Sequence, residues 1–217
     1  MREPALNLRA ANRSREIQPV RPFYRAAFSL IELLVVVAVL AVLVTLFFGF
    51  GSSGHSQRLI QQCEVNLQKI HVSLEIYARD HAEKFPETPG ARTSEEALSV
   101  LVPKYTADTS IFICPASKDS PLPAGESFRD RTISYAYYMG RRLTATADVL
   151  MSDRQVNSGS KTAGQPVFSR TGQPPGNNHQ KSGGNLLFCD GNVAASPADT
   201  SVSLVLTPDV VLLNPKP

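Results

Sequence analysis

Two short patterns are missing from this 217-residue chain, and so is any strong net charge. No Cys-x-x-Cys pair occurs, which argues against zinc. The cysteines, Cys63, Cys114 and Cys189, stand far apart; one bridge can form, with three choices, and buried single thiols are the default. No Gly-x-Ser-x-Gly elbow marks a hydrolase nucleophile. The formal charge is only +3, and residues 1–27 hold more than all of it: Arg2, Arg9, Arg13, Arg15, Arg21 and Arg25 against Glu3 and Glu16 give +4. The remainder is near −1, so the basic character belongs to the leader and carries no nucleic-acid signal.

Basic residues are also absent from Phe28 to Phe50, where Glu32 is the single charge and Ser29, Thr45 and Gly49 the other interruptions. At about 1.5 Å per residue this run makes a helix of roughly 34 Å, enough to cross a bilayer with some tilt. It is too long for the apolar core of a secretory signal, about 7–15 residues. The Arg-rich flank ahead of it stays cytoplasmic, so the C-terminal domain faces outward. A carboxylate inside a span costs on the order of 2.5–3.5 kcal/mol at the centre and less near an end, and it calls for a partner. Cutting the chain before Phe28 would supply one, an α-ammonium one helical turn from Glu32.

The segment Ala27-Phe28-Ser-Leu-Ile-Glu32-Leu-Leu-Val-Val resembles the N-terminal signature of type IV pilins and type II secretion pseudopilins. The resemblance implies that prepilin peptidase removes residues 1–27, that the new terminal Phe28 is N-methylated, and that Glu32 directs assembly. The family has Gly before the cut, whereas this chain has Ala27, the next smallest residue. Cys63-x-x-Asn66-Leu67-x-x-Ile70, Tyr77-Ala-x-Asp80-His81, Lys84-Phe85-Pro86 and Ile113-Cys114-Pro115 are similar to a large bacterial pseudopilin-like subfamily.

Gly49-Phe-Gly51-Ser-Ser-Gly54 weakens a helix and reads as a membrane-exit hinge. Beyond it, Leu59, Cys63, Leu67, Ile70, Leu74 and Tyr77 recur at the period of an amphipathic helix, their stripe facing the core of the outer domain. His71 and His81 read as solvated helix residues, and Phe85-Pro86 ends the helix. Thr93-Ser-Glu-Glu96 is a capping-box pattern for a short helix to about Leu101. Strands are expected at Ser110–Cys114, Ile133–Met139 and Val149–Ser152.

From residue 155 to 184 only Val156, Ala163, Val167 and Phe168 are clearly apolar, the mark of a functional or disordered long loop. Asp190-Gly191 between apolar runs then predicts a hairpin over 185–195 with a type I′ turn. Asn178-His179 followed by Asn185 and Asp190-Gly191 resembles a His-then-Asp-Gly motif of that subfamily's C-terminal domain. Ten residues separate His179 from Asp190, against the usual nine. Three roles fit these residues. His179 and Asp190 can pin the loop to the hairpin by hydrogen bonds, with Asn178 as a turn residue. Asp153, Asp190 and loop carbonyls can hold calcium, which takes six to eight oxygen ligands. A His–Asp catalytic pair is the third, without a nucleophile signature beside it.

The expected architecture is α+β: a transmembrane-then-amphipathic helix as stem (28–50, then 51–86) and an antiparallel sheet head over 87–217. The last stretch, Val210–Leu213, adds a strand. The function that the pilin-type resemblance implies is structural, not enzymatic. It is a pseudopilin in the bacterial inner membrane, its C-terminal domain periplasmic, partnered by prepilin peptidase, sibling pilin-type subunits and an assembly platform. A type IV pilus subunit for adhesion, motility or DNA uptake, and a membrane-tethered binding protein or enzyme, are the competing classes.

Overall fold

The computed structural model describes residues 29–49 and 51–217, with side chains described for 29–45 and 55–217. The leader, the Ala27–Phe28 junction with its methylation site, and Phe50 lie outside the described residues. The chain divides into two compact units at Gly49/Phe50.

The first unit contains helix α1, Leu30–Gly49. Glu32 lies in its first turn, where its Oε2 accepts the Ser29 backbone N–H at 3.0 Å. A carboxylate there satisfies a donor that the helix start leaves orphaned and complements the positive helix end. The Thr45 hydroxyl is likewise satisfied locally, donating to Val42 O at 2.8 Å. Side chains from Leu30 to Thr45 are exposed. No helix among the described residues is long and apolar enough to cross a membrane.

The second unit is α+β. Helix α2, Gly51–Asp80, begins at the Gly-Ser run, whose cost of up to about 1 kcal/mol per glycine leaves the segment helical. Cys63, Leu67, Ile70, Leu74 and Ala78 are fully buried, while Leu59 and Tyr77 at the stripe's ends are half-buried. The helix stops before Phe85-Pro86. Ala82 (φ 53°) and Glu83 (φ 62°) turn left-handed, and Glu83 N–H donates to Ala78 O at 2.8 Å, closing the last turn. His71 corrects the expectation of a solvated residue, being only 7 % exposed, whereas His81 is exposed and stacks on Tyr77.

Short helix α3 spans Ser94–Leu98 and runs into a 3-10 turn at Ser99–Leu101. Its capping box is not formed as expected: Thr93 makes no side-chain cap, and Glu96 instead accepts the Arg92 N–H at 2.7 Å. The strand expected at Ser110–Cys114 is a 3-10 turn, Thr109–Phe112, because the Asp108 carboxylate accepts from Ser110 N at 3.1 Å and nucleates a turn. The strands are β1 (Tyr135–Met139), β2 (Val149–Asp153), β3 (Gly184–Phe188), β4 (Val193–Ser196) and β5 (Val211–Leu213). They form one five-stranded antiparallel sheet in the order β4-β3-β2-β1-β5.

Both faces of the sheet are covered, so β1 and β2 are buried throughout except at Met139. Tyr135 and Tyr137 share a core with the α2 stripe, Phe112 and Phe128. Ala136 and Tyr138 point the other way, into a smaller core with Val167, Phe168 and Leu204. The long loop thus contributes Val167 and Phe168 to a second layer. Cys63 and Cys114 form a disulfide across a sequence separation of 51 residues. In the chain-entropy picture a loop of that size stabilises by about 4 kcal/mol.

Candidate functional site

Cys63 on α2, Cys114 after the 3-10 turn, Asp153 at the end of β2 and His179 in the long loop converge on one buried point. One ligand-type atom from each lies within 4.8 Å of the others. His179 Nε2 is 3.2 Å from Asp153 Oδ2 and 3.6 Å from Cys114 Sγ. Asp153 Oδ1 accepts from Asn178 Nδ2 at 2.9 Å, and Oδ2 accepts the Asn185 backbone N–H at 2.8 Å. Asn178 Nδ2 also donates to Ser134 O at 2.7 Å, and Asn185 Nδ2 to Ile60 O at 3.1 Å. These bonds tie loop, sheet and α2 together around a single carboxylate. Gly184 lets β3 come this close: a Cβ there would stand 2.8 Å from Phe168 Cζ and 3.0 Å from Asp153 Cβ.

The carboxylate has no basic neighbour from the next residue. Arg154 Nη2 turns to Asp119 Oδ1 (3.1 Å) and Ile133 O (2.9 Å) instead. Asp153 is therefore a fully buried carboxylate held by neutral donors and one imidazole, and His179 Nδ1 is buried without a partner.

Asp190 is elsewhere. Asp153 meets the start of β3 at Asn185, whereas Asp190 follows the end of β3, five residues and roughly 16 Å of strand further on. The fold does not bring Asp153 and Asp190 together as calcium ligands, nor His179 and Asp190 as a pair. Asp190 is exposed and its Oδ1 accepts the Asn192 N–H at 2.9 Å. The predicted hairpin is present, but with a longer turn than type I′: Gly191 N–H donates to Phe188 O at 3.0 Å, and only Gly191 of the pair has positive φ, +87°. This turn docks on α2. His71 Nε2 lies 3.0 Å from Cys189 O, and a Cβ on Gly191 would meet the His71 ring at 2.9 Å. Free Cys189 is buried, which pushes its thiol up to about 12 and keeps it protonated.

The loop has a second buried charge that composition did not single out. Lys161 is 3 % exposed, and its Nζ donates to Asn157 O and Gly159 O, each at 2.9 Å. Burial pulls its pKa down to about 8.

At the other end of the chain, Glu32 sits in the first turn of a helix whose described side chains are otherwise apolar or small hydroxyls. Residues 23–48 match the prokaryotic N-terminal methylation motif. The chain carries a prepilin-type signal. This is the prepilin-type signal found on type IV pilins and pseudopilins, and it supports a pilin-like or pseudopilin subunit. The motif implies a membrane anchor, processing by prepilin peptidase and assembly with other pilin-type subunits. No curated protein and no solved structure matches the chain.

Proposed function

We propose that this prepilin-type subunit is a pseudopilin of a type II secretion-like pseudopilus. It is cut between Ala27 and Phe28, methylated on the Phe28 amine and held single-pass in the bacterial inner membrane, its C-terminal domain in the periplasm. The apolar stem then moves from lipid into a helical fibre, and each Glu32 meets the terminal ammonium of a neighbour. The observation that carries this reading is the methylation motif over residues 23–48 with Glu32 in the first helical turn.

Glu32→Leu tests it. Leu keeps bulk and helix propensity, deletes the one charge of the span, and so favours insertion. The lost first-turn carboxylate costs about 0.3–1 kcal/mol, too little to unfold the helix. Variant subunits should be cleaved and inserted, with an intact mass beginning at Phe28, yet absent from sheared or cross-linked fibres, because an unpaired buried ammonium costs several kcal/mol. Glu32→Leu subunits entering fibres as readily as wild type would refute the pairing. A mass retaining residues 1–27 would refute the processing.

A further inference from the structure

We propose that the Cys63–Cys114–Asp153–His179 cluster is a zinc site in the dithiol form of the protein, and that disulfide and metal are alternative closures of the same point. The inference does not rest on the fibre-subunit reading. Zinc takes four ligands in a tetrahedron at about 2.0–2.3 Å, which places neighbouring ligand atoms about 3.3–3.7 Å apart. His179 Nε2 is already 3.6 Å from Cys114 Sγ and 3.2 Å from Asp153 Oδ2. All four residues are buried and all four ligand atoms lie within 4.8 Å of one another, so the only large movement needed is parting of the two sulfurs.

Three further observations favour a cation there. Asp153 is a fully buried carboxyl group whose neighbouring Arg154 is turned away to Asp119, so the basic side chain beside it is His179. Its orientation is set by two outer donors, Asn178 Nδ2 and Asn185 N–H, the arrangement that aims a carboxylate at a metal. A cleft of about 270 Å³ lined by His55, Leu59, Ala116, Asn178 and His179 adjoins the cluster on the His179 side. The absence of a Cys-x-x-Cys pair argued against zinc in the sequence; the fold supplies the two thiolates from separate elements instead.

The chemistry balances as follows. A dithiol or a phosphine gives two electrons to the Cys63–Cys114 bond, becoming a disulfide or, with water, a phosphine oxide. Two thiols result. Zinc then displaces both thiol protons to solvent, and the imidazole proton moves from Nε2, which must be free to bind metal, to Nδ1. The product is two thiolates, one carboxylate and one neutral imidazole around the ion.

The test uses the full-length chain in detergent, reduced with a phosphine and desalted without oxygen, then titrated with cobalt(II) and with zinc. One cobalt per chain is expected, with a thiolate charge-transfer band and tetrahedral visible bands that zinc abolishes; the oxidised chain should show neither. X-ray absorption at the zinc edge should find two sulfur neighbours and two nitrogen or oxygen neighbours. Cys189→Ser should leave stoichiometry and spectra unchanged. A reduced chain that takes no metal, folded or unfolded, overturns the proposal. So does a shell of sulfur alone or of nitrogen and oxygen alone, or equal binding by the oxidised chain.

Discussion

Asp153→Asn is the substitution that most directly probes the buried cluster, because it changes charge and one donor pattern with almost no change in shape. The carboxylate accepts two hydrogen bonds, from Asn178 Nδ2 on Oδ1 and from Asn185 N–H on Oδ2, and His179 Nε2 stands 3.2 Å from Oδ2. An amide offers only one oxygen. If that oxygen takes the Oδ2 position, the new NH2 faces Asn178 Nδ2. Asn178 cannot flip to relieve this, because its Nδ2 also donates to Ser134 O at 2.7 Å. If the oxygen takes the Oδ1 position, the NH2 faces the Asn185 backbone N–H, which cannot rotate at all. Either way a charge-assisted bond is lost, about 1.5–3 kcal/mol, and a buried donor is left unmet, about 1–3 kcal/mol more. The sum falls near the 3–5 kcal/mol typical of breaking a buried pair. At about 2–4 °C per kcal/mol for a domain of this size, Tm should fall by roughly 10 °C. The chain has no Trp, so near-ultraviolet tyrosine dichroism, dominated by buried Tyr135, Tyr137 and Tyr138 of β1, is the readout of sheet packing during the melt. Asp190→Asn, at an exposed turn, should cost no more than about 1 kcal/mol. A melt of Asp153→Asn within about 2 °C of wild type would show that the carboxylate does not organise the cluster.

Two other outcomes follow from the second unit. Burial lowers the Lys161 pKa from 10.5 to about 8, so the unfolded chain holds that proton more tightly between those values; the group's unfavourable share is full below about pH 8 and fades as pH rises toward about 10.5, by at most about 3 kcal/mol. Wild-type Tm minus Lys161→Met Tm should therefore increase from about pH 7 to about pH 10, and a flat or falling difference would contradict it. Gly191→Ala should cost about 2 kcal/mol, since φ is +87° and the new Cβ would stand 2.9 Å from the His71 ring, whereas Gly125→Ala (φ +69°, open space) should cost only about 1 kcal/mol. Equal losses in denaturant melts would show that the His71 contact adds nothing.

The parts legible in the sequence were those with a local signal. The α2 stripe has its own period, the Asp-Gly pair sits between apolar runs, and the methylation motif is contiguous. The 3-10 turn at Thr109–Phe112 is not legible because apolar Ile111, Phe112 and Ile113 look like a strand, while the deciding Asp108 cap is a single polar side chain. The burial of His71 is not legible because a ring beside the stripe is solvated or buried according to what lands on it, and a turn some 120 residues away does so. The buried cluster has no local signature at all. Its four members come from α2, a turn, β2 and a loop, and the disulfide, the sheet register and the Asn178 and Asn185 hydrogen bonds bring them together. Reading His179 and Asp190 as one motif hid the fact that β3 carries them to opposite ends.

The Lys161 ammonium donates to both Asn157 O and Gly159 O, so the positive charge facing these two carbonyls comes from the chain itself. A free ion leaves its carbonyls when the medium is dilute in it, and a loop built on such an ion loosens with the surroundings. An ammonium on its own four-carbon stem has an effective concentration fixed by chain geometry, which no dilution lowers. This corner of the loop keeps its cation whatever salt surrounds it, and answers to proton activity through the lowered Lys161 pKa.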